Sequence, residues 1–365
     1  MKFNSLAEGA AAFESHRPMF EQHGIYAEGA RMYVTEAVKR DWTLAMDAVP
    51  SLSTDPNSAI PVLLTTLIDP QVYSVLFAPV RAAEIYGEVR KGTWTDSTAM
   101  FPTVEQTGEV SSYGDYNNNG RAGANINFPQ RQNYLFQTIP SYGELEIAKA
   151  GLARVNWVGE IDKAAMSALM RFLNNTYFFG VLGLQNYGAL NDPNLTAPIT
   201  PATKAYGGVK WINNGAVVAQ ANEIYNDIVA IYLQLVTQAP GLVDQETKLG
   251  LVMSPGSAVA LTATNAFGIN VGDLLKKNFK SLRIETAVQL GVTSSTNMQG
   301  VAGGNEVQMF AEELEGQRTV QAGFSDKMRT FPIVRDLSSW KKKMLSGTWG
   351  SIVRQPFAVA AMLGV

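Results

Sequence analysis

The chain has two histidines, His16 and His23, and their spacing of seven residues is two helical turns. A metal pair there needs further ligands to converge on it, and without them both side chains read as solvent-facing or packing imidazoles. Glu312, Glu313 and Glu315 form an acidic cluster of the oxygen-donor kind that divalent cations favour, set against the simpler reading of a solvated strand end. Lys341, Lys342 and Lys343 are the densest basic run. On a strand their side chains would alternate between faces, so they mark an exposed edge guarded against self-pairing or a surface that meets acidic groups on a neighbour. Gly180, Gly183 and Gly188 follow a helical stretch instead of a strand and lack GxGxxG spacing, so they mark a turn. The sequence holds no HExxH zinc motif, no glycine-rich phosphate loop ending in Lys-Ser/Thr and no GxSxG nucleophile elbow. With no cysteine, thiolate ligands, thiol nucleophiles and disulfides are excluded as well. No catalytic residue, cofactor or metal site is assigned, and the chain is read as a non-enzyme; a soluble oligomeric enzyme with dispersed carboxylates is the weaker alternative.

The elements that would position any chemistry come next. At 365 residues and 46% hydrophobic content the chain can fill a large core, and its net charge of -3 argues against a dedicated reader of duplex DNA, leaving only weak nonspecific contact with nucleic acid. The first residues lack the apolar run of a secretory signal, and no window carries about 18 apolar residues in succession, so a cytoplasm-like compartment and no removed leader are expected.

Residues 143–180 read as one long amphipathic helix, about 50 Å at the standard rise. Leu145, Ala148, Leu152, Val155, Val158, Ile161, Ala165, Leu169 and Phe172 recur at three and four to make a single apolar stripe. Gly151 and Gly159 are the places for a bend or a close crossing. Before it, 1–61 has the composition of an arm, with a helix over 28–49, and 62–92 turns apolar, with a helix start at Asp69 and Pro70. Residues 93–140 hold two strand-like runs around a segment dense in glycine and asparagine, which predicts a long two-stranded ribbon with a tip around 113–123. A bare ribbon is marginal in water, so it should rest on something outside its own domain. Later elements are a helix over 214–239, a buried strand over 249–253, small helices over 255–263 and 271–279, and a strand over 281–288. Further strands are expected over 306–313, 319–324, 328–337, 340–345 and 351–361. Helices and strands mixed without a regular βαβ rhythm give an α+β class.

The order of these parts resembles the major capsid proteins of tailed bacteriophages, with the Hong Kong phage-type fold that encapsulins share. The segments that carry the likeness are FFGVLGLQNYGAL at 178–190, LVMSPGSAVAL at 251–261 and GTWGSIVRQPFAVAAMLGV at 347–365. The resemblance implies an N-terminal arm over 1–61, an extended β-hairpin loop over 93–142 and an axial domain over 214–321. It implies a peripheral domain built from 62–92, the spine helix and following loop over 143–213, and C-terminal strands over 322–365. It further implies hexamers and pentamers of an icosahedral shell around double-stranded DNA, with a portal and with scaffold or decoration proteins as further partners. A scaffold would be a separate protein or absent, since the arm starts at Met1. Some relatives weld subunits through a lysine on the extended loop, but no lysine lies between Lys91 and Lys149, which argues against such a cross-link. Tyr113, Tyr116 and Arg121 at the ribbon tip, and Arg154 and Trp157 on the spine, are the expected inter-subunit contacts. An encapsulin-like compartment without a genome is the alternative within the fold; a tail-tube or fibre component is disfavoured by the spine helix and the lack of repeats.

Overall fold

A computed structural model describes residues 80–365, apart from 117–118, 154, 295–296 and 298–299. The expected arm with its helix and both histidines, the helix start at Asp69 and Pro70, and Arg154 lie outside the described residues.

In chain order, a short helix α1 (Ala82–Tyr86) leads to β1 (Glu88–Arg90), β2 (Thr98–Met100) and β3 (Thr103–Glu109). The chain turns back through β4 (Arg121–Asn127), β5 (Gln130–Gln132), β6 (Tyr134–Thr138) and β7 (Ser141–Gly143) into helices α2 (Glu144–Leu152) and α3 (Trp157–Phe179). A two-strand turn, β8 (Ile212–Asn213) and β9 (Ala216–Val217), precedes helix α4 (Ala221–Gln238). Then come β10 (Leu249–Met253), α5 (Pro255–Val259), α6 (Val271–Asn278), β11 (Leu282–Thr286) and β12 (Glu306–Ala311). A small hairpin, β13 (Glu313–Leu314) and β14 (Gln317–Arg318), is followed by β15 (Val320–Phe324) and β16 (Arg329–Thr330). The chain finishes with β17 (Val334–Asp336), β18 (Ser339–Lys341), β19 (Met344–Val353) and β20 (Val359–Leu363).

The sheet ordered β11-β10-β12-β20 is buried on both faces, which is why β10 reads as a continuous apolar run and why β12 is buried at every position, Glu306 and Gln308 included. Leu249, Leu251 and Met253 of β10 and Val307 and Met309 of β12 join Ile224, Ile228, Ile231 and Leu235 of α4 in one core cluster. From the other face Val252 and Phe310 enter a second cluster with α1, Leu173, Tyr177 and Phe178 of α3, and Val320 and Ala322 of β15. Tyr86 sits at that junction, 5.4 Å from the Phe310 ring and 5.8 Å from the Phe178 ring, and donates its hydroxyl to Gln308 Oε1 at 2.7 Å. Arg283 of β11 closes the same seam. Its guanidinium donates to the carbonyls of Glu84 and Ile85 at the end of α1 and pairs with Glu312 at 2.6 Å. The second large sheet runs β1-β15-β19-β16, with β6 on the far side of β19 and the end of α3 packed across it.

Several sequence expectations need correcting. The stretch 143–180 is two helices, because the chain leaves the helix at Ala153 and restarts where the Asn156 side chain accepts the Gly159 amide at 3.2 Å. Nothing on α2 is buried, so no packing holds the helix continuous across that cap. The ribbon is shorter than expected: Tyr134–Thr138 is a strand of the β19 sheet, where Phe136 lies 4.5 Å from the ring of Phe172. The helix expected from 214 starts at Ala221, because Asn214 and Gly215 take positive φ of 49° and 79° and make a two-residue hairpin turn. β19 is one ten-residue strand, Met344–Val353, where separate strands over 340–345 and 351–361 are expected; it runs through Gly347 and Gly350 without a break. β18, which carries Lys341, is the centre of the β17-β18-β7 sheet and not an edge; Lys341 pairs with Asp336 at 2.5 Å and Lys342 with Asp162 at 2.7 Å. Glu312 is committed to Arg283, and among the described residues no group of three or more His, Asp or Glu side chains could hold a metal ion.

Candidate assembly interface

β3 and β4 pair from Thr103 opposite Asn127 to Glu109 opposite Arg121. Alternation sorts the pairs. One face carries Val104 against Ile126, Gln106 against Ala124 and Gly108 against Ala122; the other carries Thr103, Glu105, Thr107 and Glu109 against Asn127, Asn125, Gly123 and Arg121. The hairpin therefore has an apolar stripe, as a strand pair lying on a core would, yet every residue of both strands is exposed. Met100 and Phe128 extend the exposed apolar surface toward the root. Two strands without a covering layer are marginal in water, and among the described residues nothing covers this stripe.

The expected contact residues fall in two places. Tyr113 and Tyr116 stand on the tip at 94% and 104% exposure, the Tyr113 hydroxyl donating to Asp115 at 3.0 Å, and Arg121 opens β4 beside them, also exposed. Trp157 is separate from these, in the first turn of α3 and 43% exposed. The stripe expected on the long helix divides at the break: Ala165 and Leu169 are buried, whereas Leu145 and Leu152 on α2 are open to solvent.

Around α2 and the start of α3 lies a lobe that the sequence reading missed. β7, β18 and β17 form its sheet, with Trp340 opposite Tyr142. Arg335 pairs with Glu144 at 3.1 Å and lies 5.9 Å from the Trp340 ring. Asp162 of α3 ties the lobe down. Burial works upward on its carboxyl, but hydrogen bonds from Lys342 and Tyr142, with the Lys342 charge, hold it below the usual carboxylate range. Burial and the Asp162 carboxylate push the Tyr142 hydroxyl up to about 12, so it stays a donor at neutral pH. At the β17–β18 turn Leu337 is almost wholly exposed, with Val334 and Ile333 open beside it. The available signal was Ser338 in the turn, which an expected single strand over 328–337 leaves at its end. The lobe and the hairpin both leave apolar side chains uncovered by the described residues.

Solved structures share this fold. The capsid protein of Myoviridae phage XM1 matches with a TM-score of 0.66 over 85% of this chain and 100% of that one, at 13% identity. The capsid of a native GTA particle matches at 0.55 over 86% and 98%, with 10% identity. Gordonia phage Cozz matches at 0.53 over 93% and 97%, with 12% identity. The fold is therefore the Hong Kong phage-type capsid fold. No curated protein matches the sequence itself. The family model described as Pa193 gp26 major capsid protein matches residues 51–364, and the chain belongs to that family. It is a major capsid protein, a structural component of a bacteriophage shell. No helix among the described residues is long and apolar enough to cross a membrane.

Proposed function

We propose that this capsid protein assembles with identical copies into an icosahedral shell of hexamers and pentamers enclosing the double-stranded DNA of a tailed phage. The work is structural, with no enzymatic step, and assembly takes place in the host bacterial cytoplasm. Residues 1–61 serve as the arm and 93–142 as the extended loop; 62–92, 143–213 and 322–365 make the peripheral domain and 214–321 the axial one. The observation that carries this reading is the amphipathic hairpin whose apolar stripe, Val104 with Ile126, has no cover from the described residues of its own chain. Laid on a neighbouring copy the stripe gains that cover, with Tyr113, Tyr116 and Arg121 at the far end of the contact and Arg154 and Trp157 receiving a neighbour's hairpin or arm. A contact of standard size buries roughly 1,600 Å² in total. Repeated around closed rings, contacts of modest strength add to a stable particle. Portal, scaffold and decoration proteins would be further partners, and the packaged DNA a nonspecific one. Membership of a phage capsid family favours this over a genome-free cargo compartment.

Sedimentation and electron microscopy of purified protein test the reading: the full chain should form megadalton shells. Removing residues 112–122 should leave a soluble subunit that makes none. Normal particles from that deletion would contradict the proposal.

A further inference from the structure

A projecting hairpin is useful to assembly only if its angle is fixed, and among the described residues its root is held by a buried ion pair. The hairpin joins the rest of the chain through β2 and β5, and Arg131 is the one buried residue of those two strands. Its guanidinium donates to Asp192 Oδ2 at 2.5 Å, and the two side chains are 7% and 0% exposed. The same guanidinium lies 4.9 Å from the centre of the Tyr187 ring. Beside this pair the backbone is stitched in register. Gln132 N donates to the Gln185 carbonyl at 2.9 Å, Gln185 N donates to Gln132 Oε1 at 3.1 Å, and Asn186 Nδ2 donates to the Gln132 carbonyl at 3.0 Å.

The receiving turn is itself held hard. Ala189 N and Leu190 N donate to the carbonyls of Tyr177 and Phe178 at the end of α3, and Asn186 Nδ2 donates to the Thr348 carbonyl of β19. A Cβ at Gly188 would lie 2.1 Å from the Phe178 carbonyl carbon, so only glycine allows the turn to sit this close to the helix. Load on the hairpin thus passes through Arg131 to a turn clamped between α3 and β19. Arg131 Nε has no hydrogen-bond partner, which makes the pair poorly satisfied as a stabilising device. A buried ion pair of that kind contributes little net stability against well-packed apolar residues, but its two fixed ends specify orientation.

We propose that the Arg131–Asp192 pair is a positioning device that sets the hairpin's projection angle and so governs shell formation more than subunit stability. The proposal rests on the reading that the hairpin contacts another copy. Strands β3 and β4 of seven residues extend roughly 23 Å from this root, so a small rotation at Arg131 becomes a large displacement at Tyr113 and Tyr116.

The test is the double variant Arg131→Met with Asp192→Leu, which removes both charges and leaves no orphan, beside the conservative Arg131→Lys and the 112–122 deletion. Three readouts are taken: thermal unfolding of the subunit, hydrogen exchange at Gln132 and Asn133, and shell yield by sedimentation. The double variant should unfold within a few degrees of the native subunit, exchange about tenfold faster at the root and lose at least about tenfold in shell yield. Arg131→Lys should restore part of that yield. Native shell yield from the double variant, or a large fall in unfolding temperature that accounts for the lost yield, overturns the proposal. If the deletion also assembles normally, the hairpin reading falls with it; if the deletion fails while the double variant assembles, only the positioning role falls.

Discussion

The β11-β10-β12-β20 sheet and the β3–β4 hairpin are built from the same kind of pairing and end in opposite environments. In the sheet, both faces of every central strand are covered by the chain's own α1, α3 and α4. In the hairpin an equally regular register leaves all fourteen strand residues exposed. The difference teaches that pattern and partner separate here: the sheet's side chains find their cover within the fold, whereas Val104 and Ile126 carry a pattern that no described residue of the chain covers. The subunit's stability and its assembly should therefore respond to different mutations.

The strongest way to break the contrast is in the helix that covers the sheet. Ile228 is fully buried in α4, and Ile228→Ala should cost the free subunit roughly 2–5 kcal/mol by chemical denaturation. A cost no larger than that of a surface change would remove the distinction. Next is Glu306 at the start of β12, whose carboxyl is pushed up to about 7 by burial. Between its ordinary value of 4.5 and 7 the native chain keeps a proton that the unfolded chain has released, so stability falls as pH rises through this window and levels off above it. The loss should reach about 3 kcal/mol, and Glu306→Gln should flatten it. A denaturation midpoint that is flat or rises from pH 5 to 8 in the native protein would contradict this. Smaller again is Asn156→Ala, which removes the cap that restarts α3 and should cost about 1 kcal/mol, seen as fraying of the first turn by hydrogen exchange. Ile126→Ala, on the hairpin, should change the free subunit by less than about 0.5 kcal/mol while lowering shell yield. Equal effects on folding and assembly would erase the contrast.

What the sequence disclosed follows the same division. β10 was legible to the residue, because LGLVM is an uninterrupted apolar run closed by Ser254 and Pro255. The hairpin was legible as an exposed ribbon from β-branched residues around a glycine and asparagine tip, although its boundaries were set too wide. Periodicity cannot tell that YLFQT pairs with β19 and not with the ribbon. The helix break was hidden for a related reason. The stripe from Leu145 to Phe172 keeps its spacing across Asn156, and only the capping bond and the absence of burial on α2 show where it stops. In the candidate interface, the exposure of the tip tyrosines was readable from composition. The Arg131–Asp192 pair was not, since sixty residues of chain separate its members and neither belongs to a motif.

Hydrogen exchange on strands 103–109 and 121–127, compared between free subunits and assembled particles, tests the central claim most directly. The account expects fast exchange in the free subunit and at least about tenfold protection in particles, with the β10 and β12 amides protected in both. Hairpin amides already protected in the free subunit, or still unprotected in intact shells, would contradict it.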